Sequence, residues 1–168
     1  MQKRARRPLR KKSDASLRVR ALQLLARREY SRAELRGKLL LHVHAEGDVD
    51  PSSGQPRPFD LDRLLDDFAA RGWLSDARAA MQLVHAKRSR FGTQRITHEL
   101  RQKGIAEKLI EDAQRQLKET ELEAARQVWQ KKFGAVARDE KERARQVRFL
   151  QSRGFALDVI FNLLALDD

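Results

Sequence analysis

Residues 91–105, FGTQRITHELRQKGI, are the stretch that decides the fold of this 168-residue chain. The stretch predicts a short helix with a turn at each end. It carries three cations, Arg95, Arg101 and Lys103, against one acid, Glu99. The spacing of four residues on a helix predicts that Glu99 pairs with Arg95 or Lys103.

The turn after this helix has a counterpart fifty residues later. Lys103-Gly104-Ile105 corresponds to Arg153-Gly154-Phe155, and each glycine follows a helix where a left-handed residue is expected. The helices that come next have matching apolar positions, which are Ile105, Leu109, Ile110 and Ala113 in one and Phe155, Val159, Ile160 and Leu163 in the other.

A second similarity links three segments, ALQLLARR (21–28), AMQLVHAK (80–87) and ARQVWQKK (125–132). Each begins with alanine, has glutamine third and apolar residues fourth and fifth, and ends with a basic residue. The chain is therefore predicted to be all-α, with three tandem units of three helices. A unit of about 45 residues has a small core, so stacked units are expected to share cores in an elongated, curved array.

The predicted limits of these parts follow from composition. Residues 1–14 are expected to be a disordered basic arm, because seven of the first twelve are cations and none is an acid. The first unit spans 15–74 and includes a loop insertion at 44–58, rich in proline and glycine. The second unit spans 75–118 and the third 119–168.

Ser31 and Glu34 have the spacing of a capping box. In that motif the serine hydroxyl accepts a hydrogen bond from the third helical amide, and the glutamate reaches back to the serine amide. A second helix is therefore predicted to start there, with Leu35 and Leu39 on its apolar face.

The overall charge favours a polyanionic partner. The formal net charge is +12 and the isoelectric point is about 10.7, which suits nucleic acid, a nucleoprotein or an anionic membrane surface. The absence of cysteine excludes disulfides, thiolate zinc sites and cysteine nucleophiles. No window approaches 18 apolar residues and no secretory signal is evident, so a cytoplasmic protein without a membrane span is expected.

Cations recur at the end of the first helix of each unit, as Arg27-Arg28, Lys87-Arg88 and Lys131-Lys132. One such pair is explained by the helix macrodipole, but three at matching positions place charge at regular steps. Two acidic groups are expected at N-terminal turns of helices. These are Asp60, Asp62, Asp66 and Asp67 in one group, and Glu119, Glu121 and Glu123 in the other.

Catalysis, a cofactor and a metal are not expected. His42 and His44 would point about 200° apart on a helix, which does not suit a shared metal. Asp48 and Asp50 resemble the start of a calcium loop whose glycine and final glutamate are missing. A phosphate-binding GxxxxGK[ST] loop is also absent.

Three stretches resemble the RecX family of RecA regulators: ALQLLARREYSRAELRGKLL (21–40), GWLSDARAAMQLVHAKRSRFGTQRITHELRQKGI (72–105) and RGFALDVIFNLL (153–164). The resemblance is close over 17–117 and looser over 122–165. Two features depart from the family pattern: the insertion at 44–58, and Trp73 where tyrosine is common. Seven residues are expected to have a structural role: Ser31, Glu34, Gly92, Ile96, Leu100, Gly104 and Gly154.

The resemblance implies a non-enzymatic modulator that binds the RecA filament on single-stranded DNA and restrains its ATPase, extension and strand exchange. Such a protein would act in homologous recombination, DNA repair and the SOS response. It would bind free DNA weakly and in a salt-dependent way, and a monomer is expected. The residues expected to contact the filament or its DNA are Arg88, Arg90, Arg95, Arg101, Lys103, Lys131, Lys132, Arg145, Arg148 and Arg153.

Three alternatives remain. A DNA-binding helix-turn-helix regulator would insert the helix pair at 93–117 into the major groove. An enzyme acting on nucleic acid would hold Mg²⁺ through Asp60, Asp62 and Asp66. The basic arm could instead bind anionic lipid.

Overall fold

The computed structural model describes residues 12–43, 48–49, 56–57 and 60–166. The regular elements, in chain order, are α1 (Lys12–Leu25), α2 (Arg32–Val43), β1 (Asp48–Val49), β2 (Pro56–Arg57), α3 (Leu61–Ala70), α4 (Asp76–Lys87), α5 (Thr93–Gln102), α6 (Glu107–Lys118), α7 (Glu121–Lys132), α8 (Glu140–Ser152) and α9 (Leu157–Leu166). These elements belong to two compact units, one ending at Ser75 and the other starting at Asp76.

The predicted all-α fold is confirmed, with a short β-hairpin as an addition. The hairpin lies inside the insertion predicted to be a loop, and pairs Asp48 with Arg57 and Val49 with Pro56. Strands of two residues are too short for an alternating apolar pattern, so the sequence gives no signal for them. The rest of the insertion lies outside the described residues.

The predicted arm at 1–14 is too long at its C-terminal end. Helix α1 begins at Lys12, so residues 12–14 are helical. The prediction placed the boundary by charge, but lysine is a good helix former and a basic residue can open a helix whose apolar face begins later. Residues 1–11 lie outside the described part of the chain.

The first unit has a single core, formed by the apolar faces of α1, α2 and α3. Leu17 and Ala21 of α1 are buried. The capping box is confirmed in both directions: the Glu34 amide donates to Ser31 Oγ at 3.1 Å, and the Ser31 amide donates to the Glu34 carboxylate at 3.1 Å. This start of α2 places Leu35 and Leu39 in the core.

The second of the two compact units, which starts at Asp76, contains two cores. One lies among α4, α5 and α6, and the other lies among α7, α8 and α9. The matching apolar residues predicted in α6 and α9 are in these cores, with Ile110 and Ile160 fully buried. The two glycines before these helices have φ of 69° at Gly104 and 84° at Gly154, which confirms the predicted left-handed turns.

Candidate polyanion interface

The N-terminus of α5 is joined to the turn between α8 and α9 through the backbone. The Gly92 amide donates to the Arg153 carbonyl at 3.0 Å, and the Gln94 amide donates to the Gly154 carbonyl at 3.1 Å. A Cβ on Gly92 would lie 2.3 Å from the Gly154 carbonyl oxygen, and one on Gly154 would lie 2.4 Å from Arg95 Cβ. We call this contact the glycine joint. Its closeness requires glycine on both sides.

A buried carboxylate reinforces the glycine joint. Glu121, at the start of α7, is only 5% exposed. Its carboxylate accepts a hydrogen bond from the Thr93 amide at 2.9 Å and from Thr93 Oγ1 at 2.7 Å. The amides in the first turn of a helix have no partner within that helix, so Glu121 caps α5 from another helix. The sequence predicted Glu121 only at the N-terminal turn of its own helix and did not predict its contact with α5.

Four cations lie around the ring of Phe91, immediately before the glycine joint. The charged groups of Lys87, Arg90, Arg95 and Arg153 are 5.6, 5.9, 4.7 and 5.5 Å from the ring centroid. We call these five residues the Phe91 cluster. Distances below about 6 Å are those of cation–π contacts, and α4, the turn after it, α5 and the turn after α8 each supply one cation.

The cations of the Phe91 cluster differ in how they are compensated. Lys87 Nζ lies 2.5 Å from the Glu99 carboxylate. Arg95 donates to the Ser152 carbonyl at 3.1 Å. Among the residues that the structure describes, Arg90, Arg95 and Arg153 have no carboxylate within ion-pair distance. Three arginine charges are therefore left without an acid among the described residues.

The expected pairing of Glu99 along its own helix missed Lys87. Helical spacing predicted Arg95 or Lys103, but Arg95 turns toward Ser152 and Lys87 reaches Glu99 from α4. Spacing along one helix contains no information about the neighbouring helix. Lys87 is also the member of the Phe91 cluster that the expected contact residues omitted, although it was recognised as part of a cationic pair.

Arg101, another expected contact residue, forms an ion pair with Glu107 at 2.6 Å. The hydrogen bond from Arg101 lowers the pKa of the Glu107 carboxyl below its usual value. The α6 carboxylate therefore already compensates this cation. Lys103 is half-buried at the end of α5.

The remaining expected contact residues are exposed, and no described contact joins them to the Phe91 cluster. Arg145 and Arg148 share one face of α8 because they are three residues apart. These exposed residues are Arg88, Lys131, Lys132, Arg145 and Arg148.

The cationic pairs expected at regular steps are not equivalent. In the first unit, the Arg28 guanidinium lies 3.7 Å from the Tyr30 ring centroid and 3.1 Å from the Glu34 carboxylate. At the end of α4, Lys87 is paired and Arg88 is exposed. At the end of α7, Lys131 and Lys132 are both exposed.

The acids of α3 cap the helix or pair with arginine. Asp60 accepts a hydrogen bond from the Arg63 amide at 2.9 Å, as its predicted place at a helix start requires. Asp66 and Asp67 lie beyond the first turn, because α3 already begins at Leu61, and they pair with arginines instead.

No cluster of three possible metal ligands is found in the described ranges. Among the described helices, none is long and apolar enough to cross a membrane.

Comparisons with known proteins agree with the three-part helical organisation. Sequence models of the first, second and third three-helix domains of RecX match residues 18–51, 75–113 and 119–164. The predicted three units of three helices are thereby confirmed. A crystal structure of RecX from Lactobacillus salivarius is similar in fold, with a TM-score of 0.70 and 19% identity over 90% of this chain and 96% of that chain.

Curated relatives match along most of the chain. The regulatory protein RecX of Leptothrix cholodnii is 46% identical over 153 residues, which cover 91% of this chain and 90% of the relative. The regulatory protein RecX of Ralstonia pickettii is 38% identical over 150 residues, which cover 89% of this chain and 87% of the relative. The chain therefore belongs to the RecX family.

Proposed function

We propose that this chain is a regulatory protein that binds RecA and its filament on single-stranded DNA. Bound there, it restrains ATP hydrolysis, filament extension and strand exchange. The protein acts without catalysis of its own, as a monomer, and in the cytoplasm, where such filaments form. Its roles are in recombination, DNA repair and the SOS response.

The observation that carries the proposal is the Phe91 cluster and its attachment to the glycine joint. Arg90 and Arg95 belong to one three-helix domain and Arg153 to the next, yet all three lie around a single ring. The backbone hydrogen bonds of the glycine joint fix the spacing between the arginines of the two domains. A filament of protein and DNA presents charge at fixed intervals, so a surface with fixed spacing suits it better than flexible cations would.

Exposed cations outside the cluster extend the proposed contact surface. Arg88, Arg145 and Arg148 are exposed, and no described carboxylate pairs with them. Lys131 and Lys132 are exposed at the end of α7. Arg101 contributes less to this surface because Glu107 already holds it.

The test measures the ATPase of RecA on single-stranded DNA while this protein is added below the RecA concentration. Falling hydrolysis at a small ratio of protein to RecA is expected, because one bound molecule would block the addition of further subunits. No effect below equimolar amounts, combined with tight binding to bare DNA, would contradict the proposal. It would instead support a helical protein that acts directly on DNA.

Charge reversal identifies the surface that is responsible. The variant Arg88→Glu, Arg145→Glu, Arg148→Glu is expected to lose the restraint while keeping its helical circular dichroism. A matched variant reverses three exposed arginines that already pair with aspartate, namely Arg36, Arg71 and Arg115. It should retain the restraint, since both variants change the net charge by the same amount. Equal effects would remove the surface from the mechanism.

A further inference from the structure

We infer that the Phe91 cluster is a binding site for phosphate groups of a nucleic acid backbone. Arg90, Arg95 and Arg153 are its ligands, and Phe91 is the ring that all three share. Arg153 also lies 5.2 Å from the centroid of the Phe149 ring. The inference rests on the proposed function, whose surface it specifies. It concerns nucleic acid alone, however, so it can be tested without RecA.

The charge of the cluster is the first argument. Three guanidinium groups lie 4.7–5.9 Å from one ring centroid, and none has a described carboxylate partner. Like charges held this close repel one another, and the repulsion grows where side chains exclude water. Two exposed arginines elsewhere, Arg71 just after α3 and Arg115 in α6, by contrast have aspartate partners. The Phe91 cluster is therefore a local excess of positive charge that an anion would stabilise.

The geometry of the arginines is the second argument. A guanidinium carries five N–H donors in one plane. Arg95 uses a donor on the Ser152 carbonyl and keeps the others. Arg90 and Arg95 are exposed and Arg153 is half-exposed. A planar fork of donors matches two oxygens of one phosphate.

The arrangement also indicates how the ligand is recognised. Cations surround the half-buried ring of Phe91, so the ring is already in use and does not provide a free face for base stacking. Contacts to phosphate position a nucleic acid without reading its sequence. Oligomers of thymidine and of deoxycytidine are therefore expected to bind equally well.

The site spans two three-helix domains, which favours a linear ligand. Arg90 and Arg95 flank the glycine joint on one side and Arg153 lies on the other. Successive phosphates of one strand could reach both sides. A single-stranded backbone meets this requirement and is the strand within the proposed filament.

The experiment uses the full chain and a fluorescent thymidine 20-mer, with anisotropy measured at several salt concentrations. Each phosphate contact on a single strand adds about 0.7 to the slope of log affinity against log salt. The variant Arg90→Gln, Arg95→Gln, Arg153→Gln is therefore expected to lower the slope by about two. Glutamine preserves most of each side chain, including the Cβ of Arg95 that packs on Gly154.

The matched control is Arg36→Gln, Arg71→Gln, Arg115→Gln. It loses the same net charge, but each arginine has an aspartate partner. Its slope is expected to fall by less than one. Equal falls in the two variants would overturn the inference, because binding would then depend on diffuse charge. A glutamate oligomer of equal charge is the second control. If it displaces the 20-mer as effectively as unlabelled DNA does, the inference is overturned in favour of an acidic protein partner.

Folding of the triple variant is checked by circular dichroism. If its helical signal is lost, the single variant Arg90→Gln decides, since this side chain is exposed and makes no described hydrogen bond. A slope lowered by about 0.7 supports the site, and an unchanged slope overturns it. The RecA ATPase of the same variants separates the two proposals: loss of binding to the 20-mer with full ATPase restraint would leave the phosphate site standing and place the regulatory contact elsewhere.

Discussion

The glycine joint makes Gly92→Ala the most informative single substitution in the chain. The new Cβ would lie 2.3 Å from the Gly154 carbonyl oxygen and 2.4 Å from the Phe155 amide nitrogen, both of which are backbone atoms. Neither can move without displacing the turn between α8 and α9. The two contacts between α5 and that turn must therefore open.

The magnitude follows from two contributions. Overpacking of a buried site costs about 1–3 kcal/mol. Loss of the backbone hydrogen bonds from Gly92 and Gln94 adds about 1 kcal/mol each. We expect Gly92→Ala to lower the free energy of unfolding of the second unit by about 3–5 kcal/mol, which is a large fraction of the stability of a small domain.

Urea unfolding measures this, with fluorescence of Trp129 as the probe. Trp129 is buried in the third core and donates to Gln146 at 2.8 Å. Replacing Trp73 by phenylalanine in every variant leaves Trp129 as the only tryptophan, so the signal reports on the second unit alone.

Two other glycines serve as controls. Gly134→Ala meets only the Gln130 carbonyl at 3.3 Å and has φ of 69°, so it should cost about 1–2 kcal/mol from left-handed strain. Gly37→Ala has open space inside α2, and the gain of about 0.5–1 kcal/mol expected for alanine in a helix falls in the first unit, so the Trp129 signal should not change. Two results would contradict the close contact at the glycine joint. One is a free energy of unfolding of Gly92→Ala within about 0.5 kcal/mol of the parent, and the other is a smaller loss for Gly92→Ala than for Gly134→Ala.

Two more predictions concern carboxylates. Glu121→Gln is expected to lower the free energy of unfolding by about 1–2 kcal/mol, because each Glu121 oxygen accepts from a different Thr93 donor and glutamine replaces one of these oxygens by an NH₂ group. Urea unfolding checks this, and a stability equal to the parent would contradict the buried cap. Hydrogen bonds from Arg71 and Arg18 lower the pKa of Asp67, so this pairing stabilises the fold above the usual carboxyl range and is lost as pH falls through the lowered pKa. The parent should therefore lose more stability than Asp67→Asn between pH 7 and pH 3, and equal losses would rule out the pairing.

Local patterns in the sequence were sufficient to predict the all-α fold, one capping box and two helix-ending glycines. The spacing of Ser31 and Glu34 predicted both hydrogen bonds of the capping box, since both partners lie within one turn. Gly104 and Gly154 were predicted to be left-handed for the same reason. Each of these features depends on neighbours a few residues apart, which periodicity and spacing can report.

Contacts between distant segments were outside the reach of such reasoning. Glu121 caps α5 from 28 residues away, and Arg95 reaches Ser152 from 57 residues away. The ten expected contact residues were chosen by charge, so they included Arg101, whose partner Glu107 is in the next helix. Charge alone cannot tell a compensated cation from an uncompensated one. Three arginines meet at Phe91 only because α5 packs against the turn after α8, and no sequence pattern reports that packing.

The cap on α5 also has a consequence for synthesis. The ribosome makes the chain from its N-terminus, so Thr93 emerges before Glu121, and Phe91 emerges well before Arg153. Until then the first turn of α5 lacks its carboxylate partner and the Phe91 ring lacks one of its cations. The middle three-helix domain of the nascent chain is therefore incomplete while it waits for the next domain. A chain that stops after α6 would keep its helices but would release a domain that lacks this cap.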